Sequence, residues 1–133
     1  MSQPVHATFR STSWSETPIG TEDLQPKLTR ASCTQVYTGD IAGDSTLEYL
    51  MVYREGGAAS FVGIERIVGS VAGRTGSFAL RHAGTFEGGV AKMTLTVVEG
   101  AGTGGLSGLT GAGEFESPHA EQYAVTLDCS FAD

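Results

Sequence analysis

The chain lacks several features that would point to common classes of protein. Asparagine is absent from its 133 residues, so it has no acceptor for N-linked glycosylation. Basic residues are scarce, because 8 Lys and Arg stand against 15 Asp and Glu, and the formal net charge is −7. An acidic chain without a basic cluster repels the phosphate backbone, and we therefore expect no nucleic-acid partner.

Long apolar runs and closely spaced cysteines are also missing. No segment approaches the ~20 consecutive apolar residues of a membrane helix, so no membrane partner is expected. The first residues, MSQPVHATFR, hold no apolar segment of the kind that a secretory signal carries. Cys33 and Cys129 stand far apart in the sequence, which favours free thiols and a cytoplasmic location.

The sequence gives little support for a metal or a nucleotide cofactor. His6, His82 and His119 lie on separate segments, and none has another ligand-type residue at the spacing of a metal site. GAGTGG at 100–105 matches the letters of a dinucleotide-binding loop, but the glycine-rich LSGLTGAGEF after it is unsuited to the helix that such a loop requires. We therefore predict a protein without a metal or an organic cofactor.

Glycine and a period of two are what the chain has in abundance. Its 19 glycines are about double the average usage of ~7%. Apolar and polar residues alternate most clearly in QYAVTLDCSFAD and AKMTLTVVE, as in strands with one buried face. Eight strands are predicted, at residues 5–13, 28–38, 46–54, 58–69, 75–86, 90–98, 104–115 and 121–131. Glycines inside strands are expected at bends: Gly63, Gly84, Gly108, Gly111 and Gly113.

The arrangement of these strands predicts the fold class. Strands about ten residues apart, joined by glycine turns and without helices between them, indicate antiparallel pairing. A closed barrel is favoured over a sandwich because closure leaves no exposed sheet edge. We predict a single all-β domain over residues 1–133, an eight-stranded antiparallel closed barrel. Its interior either is filled by side chains or holds one small ligand.

A histidine stands on an apolar side of one predicted strand. In GRTGSFALRHAGTF, His82 shares its side with Phe78, Leu80 and Phe86, whereas the intervening residues are small or polar. Since alternate residues of a strand point to the same face, the His82 imidazole is expected to point into the core.

The preceding strand supplies a possible partner for His82. Glu65 and Arg66 point to opposite faces of the segment SFVGIERIVG, which is apolar on both sides, so the pattern leaves open which of the two faces inward. An inward Glu65 would approach His82 and form a minimal acid–base pair. The alternatives are a buried pair that only satisfies itself, or a pairing of Glu65 with Arg81 or Arg74.

Aromatic residues complete the candidate site. Tyr49 and Tyr53 share one side of a strand, where their hydroxyls either line a cavity or belong to ordinary core packing. Phe61, Phe78 and Leu80 are expected to shape the cavity wall. Trp14 is interpreted either as a plug for one mouth of the barrel or as packing at its edge.

Two glycine-rich segments carry a family resemblance. FVGIERIVGSVAGRTGSFALRHAGTF followed by GTGGLSGLTGAGEF resembles a bacterial family of small, functionally unassigned domains, over about Lys27 to the C-terminus. The barrel of that family is similar to the calycin-like barrel of plant allene oxide cyclases. The resemblance implies a closed barrel with an elongated apolar cavity. The family usually has Ser where this chain has Ala101.

The residues and the resemblance together lead to a functional hypothesis. We expect a cofactor-independent cyclase or isomerase acting on a small, largely apolar metabolite, polyketide-like or lipid-like, held in the cavity. In this hypothesis Glu65 is the base or orients His82, and His82 shuttles the proton. Tyr49 and Tyr53 position a ligand oxygen. The alternative is a carrier or binding barrel without chemistry, and a third possibility is a self-filled barrel that functions as a homo-oligomer.

Overall fold

The alternating segments form the wall of a barrel in the structure, a computed structural model that describes residues 2–20 and 25–132. Within these residues the strands are β1 (Gln3–Pro18), β2 (Leu28–Gly39), β3 (Ile41–Tyr53), β4 (Ala59–Val71), β5 (Arg74–Glu87), β6 (Val90–Val97), β7 (Thr103–Gly104), β8 (Leu109–Pro118) and β9 (Tyr123–Phe131). A single 3-10 turn, Glu55–Gly57, joins β3 to β4 in this part of the chain.

Eight of these strands close into an antiparallel barrel. The order around the barrel is β1, β2, β3, β4, β5, β6, β8 and β9, and the pairing of β9 with β1 completes the circle. The short strand β7 lies outside this circle and pairs with β5 at Gly76 and Ser77. The predicted all-β class and the closed eight-stranded barrel are confirmed.

The predicted strand limits need three corrections. β1 continues to Pro18 because a bulge between Ser11 and Ser13 lets it stay paired with β2. β3 begins at Ile41 rather than at residue 46. The segment predicted as one strand over 104–115 is divided into β7 and β8. Gly108 therefore lies in the turn before β8 rather than at a bend within a strand.

Alternation along the strands separates the core from the outer wall. Inward residues from all eight barrel strands are buried, and the larger of two core clusters fills one half of the barrel. The smaller cluster lies on β2, β3 and β4 and consists of Ala31, Cys33, Leu47, Tyr49 and Phe61. Cys33 on β2 and Cys129 on β9 are both buried and free, as β1 separates their strands.

At one end of the barrel the pairing of the wall strands has a gap. β9 pairs with β1 only from Gln3 to Phe9, whereas β1 runs on to Pro18 along β2. On the other side, β8 pairs with β9 only from Leu109 to Ala112. The end of β1 and the end of β8 are therefore not joined through β9. We call this end of the barrel the mouth.

Among residues 2–20 and 25–132, no helix is both long and apolar enough to cross a membrane.

Candidate functional site

Three neighbouring strands bring a phenol, a carboxylate and an imidazole together inside the barrel. Tyr49 lies on β3, Glu65 on β4 and His82 on β5. The side chain of Glu65 is 0% exposed, whereas Arg66 is exposed on the outer wall. Glu65 is therefore the inward residue of the two that the sequence left open.

The Glu65 carboxylate is held by side chains from three other strands. Tyr37 on β2 donates its hydroxyl hydrogen to both oxygens, at 3.1 Å from Oε1 and 2.9 Å from Oε2. Ser45 on β3 donates to Oε2 at 2.6 Å. The Nε2 atom of His82 lies 2.8 Å from Oε1. These bonds satisfy a carboxylate whose burial without partners costs several kcal/mol.

His82 links the carboxylate to Tyr49. Because a carboxylate only accepts hydrogen bonds, the ring hydrogen of His82 belongs on Nε2, and Nδ1 is left as an acceptor. The Tyr49 hydroxyl lies 3.0 Å from Nδ1 and donates to it. The exposed fraction rises from 0% at Glu65 to 4% at His82 and 8% at Tyr49. Tyr49 is thus the outermost member of a hydrogen-bonded chain.

A glycine makes room for this contact. Gly63 pairs with Tyr49 on one side and with His82 on the other, so the three lie in one row across the sheet. A Cβ atom at this position would stand 2.5 Å from Cδ1 of Tyr49 and 2.6 Å from the Glu48 carbonyl oxygen. The absence of a side chain at Gly63 lets the Tyr49 ring lie over the strand with its centroid 5.5 Å from the His82 ring.

Burial keeps the hydroxyl and thiol groups around this chain protonated. Desolvation, followed by the nearby Glu65 charge, raises the pKa of Tyr49 well above 10.0. The same two causes, with the hydrogen bond to Glu65, raise the pKa of Tyr37. Burial, and then the charges of Glu65 and Glu48, raises the pKa of the Cys33 thiol to about 12. Tyr49 and Tyr37 therefore act as hydrogen-bond donors at neutral pH.

Trp14 lies at the mouth of the barrel, beside Tyr49. It pairs with Cys33, and paired residues point to the same face, so Trp14 belongs to the inner side of β1. Its side chain is nevertheless 51% exposed, and its ring centroid is 6.2 Å from that of Tyr49. Trp14, interpreted from the sequence as a plug or as edge packing, therefore lies on the inner rim of the mouth.

The lining of the mouth is apolar and adaptable. Phe61 stands edge-on to Tyr49 at 5.0 Å between ring centroids. Other inward residues around this level are only partly buried: Met51, Phe86 and Met93. Thioether and aromatic side chains of this kind accommodate apolar ligands of varied shape.

A second polar cluster lies at the rim and includes Tyr53. The Glu16 carboxylate accepts hydrogen bonds from Tyr53, from Thr29 at 2.6 Å and from Nε1 of Trp14 at 3.3 Å. Burial raises the pKa of Glu16, but these bonds and the charge of Lys27 outweigh it, and the net shift is downward. Burial and then Glu16 raise the pKa of Tyr53 to about 12.

The structure separates the residues that the sequence grouped as one site. Tyr49, Glu65 and His82 are joined directly, whereas Tyr53 is bound to Glu16 at the rim. Phe61 lines the mouth, but Phe78 and Leu80 belong to the packed core of the other half of the barrel.

Sequence reasoning missed three members of the site, Tyr37, Ser45 and Gly63. Tyr37 shares the inward side of β2 with Cys33, which is a weak signal that was available. Ser45 lay just outside the predicted strand. Within residues 2–20 and 25–132, no group of three or more His, Cys, Asp or Glu is placed to hold a metal ion.

Comparison with known proteins supplies a family. Residues 5–129 match a family described as "Protein of unknown function (DUF3224)". The match includes most of β1, which the resemblance drawn from the sequence left out. A crystal structure of a protein with unknown function from this family, from Shewanella oneidensis MR-1, is similar with a TM-score of 0.80 and 27% identity, covering 100% of both chains. No curated protein matches the chain. The chain is a member of the DUF3224 family.

Proposed function

We propose that this protein is a cofactor-independent cyclase or isomerase for a small, largely apolar metabolite bound in the mouth of the barrel. The observation that carries the proposal is the chain Tyr49–His82–Glu65, which runs from Tyr49, the least buried of the three and a neighbour of Trp14, into the core. A ligand in the mouth meets the Tyr49 hydroxyl first, because His82 and Glu65 lie behind it.

The direction of the hydrogen bonds suggests how a proton moves. As a ligand C–H or O–H bond breaks, its proton passes to the Tyr49 oxygen and the hydroxyl proton of Tyr49 passes to Nδ1 of His82. The resulting imidazolium is stabilised by the Glu65 carboxylate, 2.8 Å from Nε2. The proton then returns through Tyr49 to another atom of the ligand, so the protein is regenerated and the ligand is rearranged.

This relay is consistent with the electrostatics of Tyr49. Its raised pKa makes a free tyrosinate costly, and a concerted transfer never forms one. In this proposal Glu65 takes the second of the two roles suggested by the sequence, orienting the imidazole rather than acting as the base, and His82 shuttles the proton. Tyr49 is the group that touches the ligand. Its neutral phenol ring can hold the reactive atoms of the ligand near each other while the proton moves.

Charge in the interior favours a neutral ligand over an anion. The inward carboxylates are Glu16 and Glu65, and all eight Lys and Arg side chains of the chain are exposed. A ligand carboxylate would meet negative charge without an inward cation to balance it. The substrate class is therefore a neutral compound with a carbonyl, hydroxyl or epoxide oxygen for Tyr49. The resemblance to allene oxide cyclase barrels that was drawn from the sequence is an analogy of fold and carries no activity by itself.

A carrier without chemistry is the second candidate. It is favoured by the hydrogen bonding of Glu65, because Tyr37, Ser45 and His82 already donate hydrogen bonds to its carboxylate. In that case the Tyr49 hydroxyl anchors a ligand oxygen, and its replacement changes affinity only.

The test begins with ligand binding, read by Trp14, the one tryptophan of the chain. We expect neutral acetylnaphthalene to change the Trp14 emission and to bind at least about tenfold more tightly than naphthoate, which has the same ring with a carboxylate. Equal binding of naphthoate, or no binding of either probe, contradicts the proposed site.

Variants then distinguish turnover from storage. The ligand that co-purifies with wild type is extracted and compared by mass and chromatography with that from Tyr49→Phe, Glu65→Gln and His82→Ala. An enzyme yields product from wild type and unconverted substrate from the three variants. The same compound from all four proteins contradicts catalysis and supports the carrier. Lys92→Ala, an exposed change on β6, is the matched control.

A further inference from the structure

We propose that the outer wall formed by β3, β4 and β5 is the interface of a two-fold symmetric dimer, in which the partner is a second copy of this chain. The wall exposes large apolar side chains that alternate with the inward residues of the same strands. Leu50, Val62, Ile64 and Val68 are 54%, 54%, 51% and 58% exposed. Apolar residues grouped in this way on a surface mark an interaction site. This inference does not depend on the proposed function.

Two rows of residues define the centre of the wall. In one row, Leu50 on β3 pairs with Val62 on β4, which pairs with Ala83 on β5. In the next row, Glu48 pairs with Ile64, which pairs with Arg81. Each row thus has a different group at its two ends. The first has a large and a small apolar side chain, and the second has an acid and a base.

A two-fold axis parallel to β4 makes these rows complementary to themselves. Such an axis places β3 of one copy over β5 of the other, while β4 lies over β4. Glu48 then faces the Arg81 of the second copy, and the reverse contact follows by symmetry. In the neighbouring row the large Leu50 faces the small Ala83. Val62 and Ile64 pack against their own copies at the centre, which gives an apolar core with a charged rim.

The charge pattern favours this axis over an axis that runs perpendicular to β4 through Ile64. An axis perpendicular to β4 would place β3 over β3 and β5 over β5. With that axis through the row of Ile64, Glu48 would face Glu48 and Arg81 would face Arg81, so like charges would meet on both sides of Ile64. Of these two axes, only the parallel one brings Glu48 together with Arg81.

Charges already present on the wall are compatible with this contact. Arg30 pairs with Oε1 of Glu48 at 2.5 Å, and a carboxylate can accept from a second guanidinium as well. Among the described residues, no acidic side chain lies within ion-pair distance of Arg81. Arg66, which follows Ile64 on the outer side of β4, would meet Arg66 of the second copy, a like-charged contact. The proposed interface is therefore centred on Val62 and Ile64, and Val68 lies outside its core.

A charge exchange tests both the interface and its symmetry. Wild type is expected to sediment as a dimer whose dissociation constant is obtained from a dilution series. Glu48→Arg and Arg81→Glu should each weaken the dimer by about 100-fold or more, because each places two like-charged pairs in the interface. Mixed in equal amounts, the two variants should form a heterodimer, because both of its pairs are then of opposite charge. Lys92→Glu on β6 has the same charge change as Arg81→Glu and should leave the dimer intact.

Each other result overturns the proposal. A wild type that sediments only as a monomer excludes the dimer. If Glu48→Arg, Arg81→Glu and Ile64→Lys all leave the dissociation constant of the dimer unchanged, the dimer uses another surface. Two monomeric variants that do not associate when mixed contradict the pairing of Glu48 with Arg81. Circular dichroism of each variant checks that the barrel remains folded.

Discussion

Replacing Gly63 with alanine is expected to break the link between Tyr49 and His82 while leaving both residues in the chain. The added methyl group meets Cδ1 of Tyr49 at 2.5 Å and the Glu48 carbonyl oxygen at 2.6 Å, and real Cβ atoms do not approach this closely. Since the carbonyl oxygen is fixed in the pairing of β3 with β4, the Tyr49 ring is the part that gives way. Its hydroxyl then loses Nδ1 of His82.

The size of the effect follows from two contributions. Overpacking a core by one methyl group costs about 1–3 kcal/mol. Leaving the buried Nδ1 atom without its donor costs about another 1–3 kcal/mol. The free energy of unfolding should therefore fall by about 2–6 kcal/mol, a large part of the ~5–15 kcal/mol that holds a domain of this kind together.

Two measurements on the same variant separate the contributions. Urea unfolding gives the loss of stability, and the ¹⁵N spectrum of the His82 ring reports whether Nδ1 still accepts a hydrogen bond. Gly111→Ala is the matched control, because its Cβ would meet the Asp128 carbonyl oxygen at 2.8 Å and Sγ of Cys129 at 2.9 Å, away from Tyr49. The control should lose stability and keep the His82 spectrum. A Gly63→Ala protein with wild-type stability and an unchanged His82 spectrum refutes the reasoning.

Three further predictions concern the rim, the thiols and the tryptophan. Because the pKa of Glu16 is lowered in the folded protein, its carboxylate stabilises the fold above pH 4.5, and this contribution is lost as the pH falls through the folded-state pKa. The difference in free energy of unfolding between wild type and Glu16→Gln should therefore shrink in acid. A difference in urea unfolding that is independent of pH contradicts this. Burial raises the pKa of Cys33 to about 12 and that of Cys129 to about 11, so maleimide should label neither thiol at pH 7 until urea is added, and rapid labelling of the native protein would contradict their burial. Trp14→Phe should remove the fluorescence response to acetylnaphthalene while tyrosine-monitored binding persists, and loss of binding altogether would show that Trp14 is a main contact instead of a reporter.

Alternation alone predicted most of the barrel. In β9 every second residue from Tyr123 to Phe131 faces inward, and the sequence reads that way because the other face is polar. β4 is different, since Val62, Ile64 and Val68 are apolar on the outer face as well. The orientation of Glu65 was therefore ambiguous, and the reason is the same exposed wall that we propose as a dimer interface.

The mouth could not be predicted from alternation, because it is formed by features that do not recur at a regular spacing in the sequence. The bulge between Ser11 and Ser13 changes which side of β1 faces inward, so the parity of Val5 and Phe9 does not carry over to Trp14. The division of β7 from β8 likewise reflects pairing with β5 at Gly76 instead of a local pattern. Contacts between distant segments, such as Glu16 with Tyr53, are fixed only once the barrel closes.

Native mass spectrometry of gently purified protein, before and after denaturing extraction, tests the central claim most directly. The claim is that a small neutral molecule occupies the mouth above Tyr49. We predict an added mass on the folded protein that is released on denaturation and that belongs to a compound without a carboxylate. A bare protein that also gains no mass in the presence of acetylnaphthalene would contradict an accessible site and would leave the barrel filled by its own side chains.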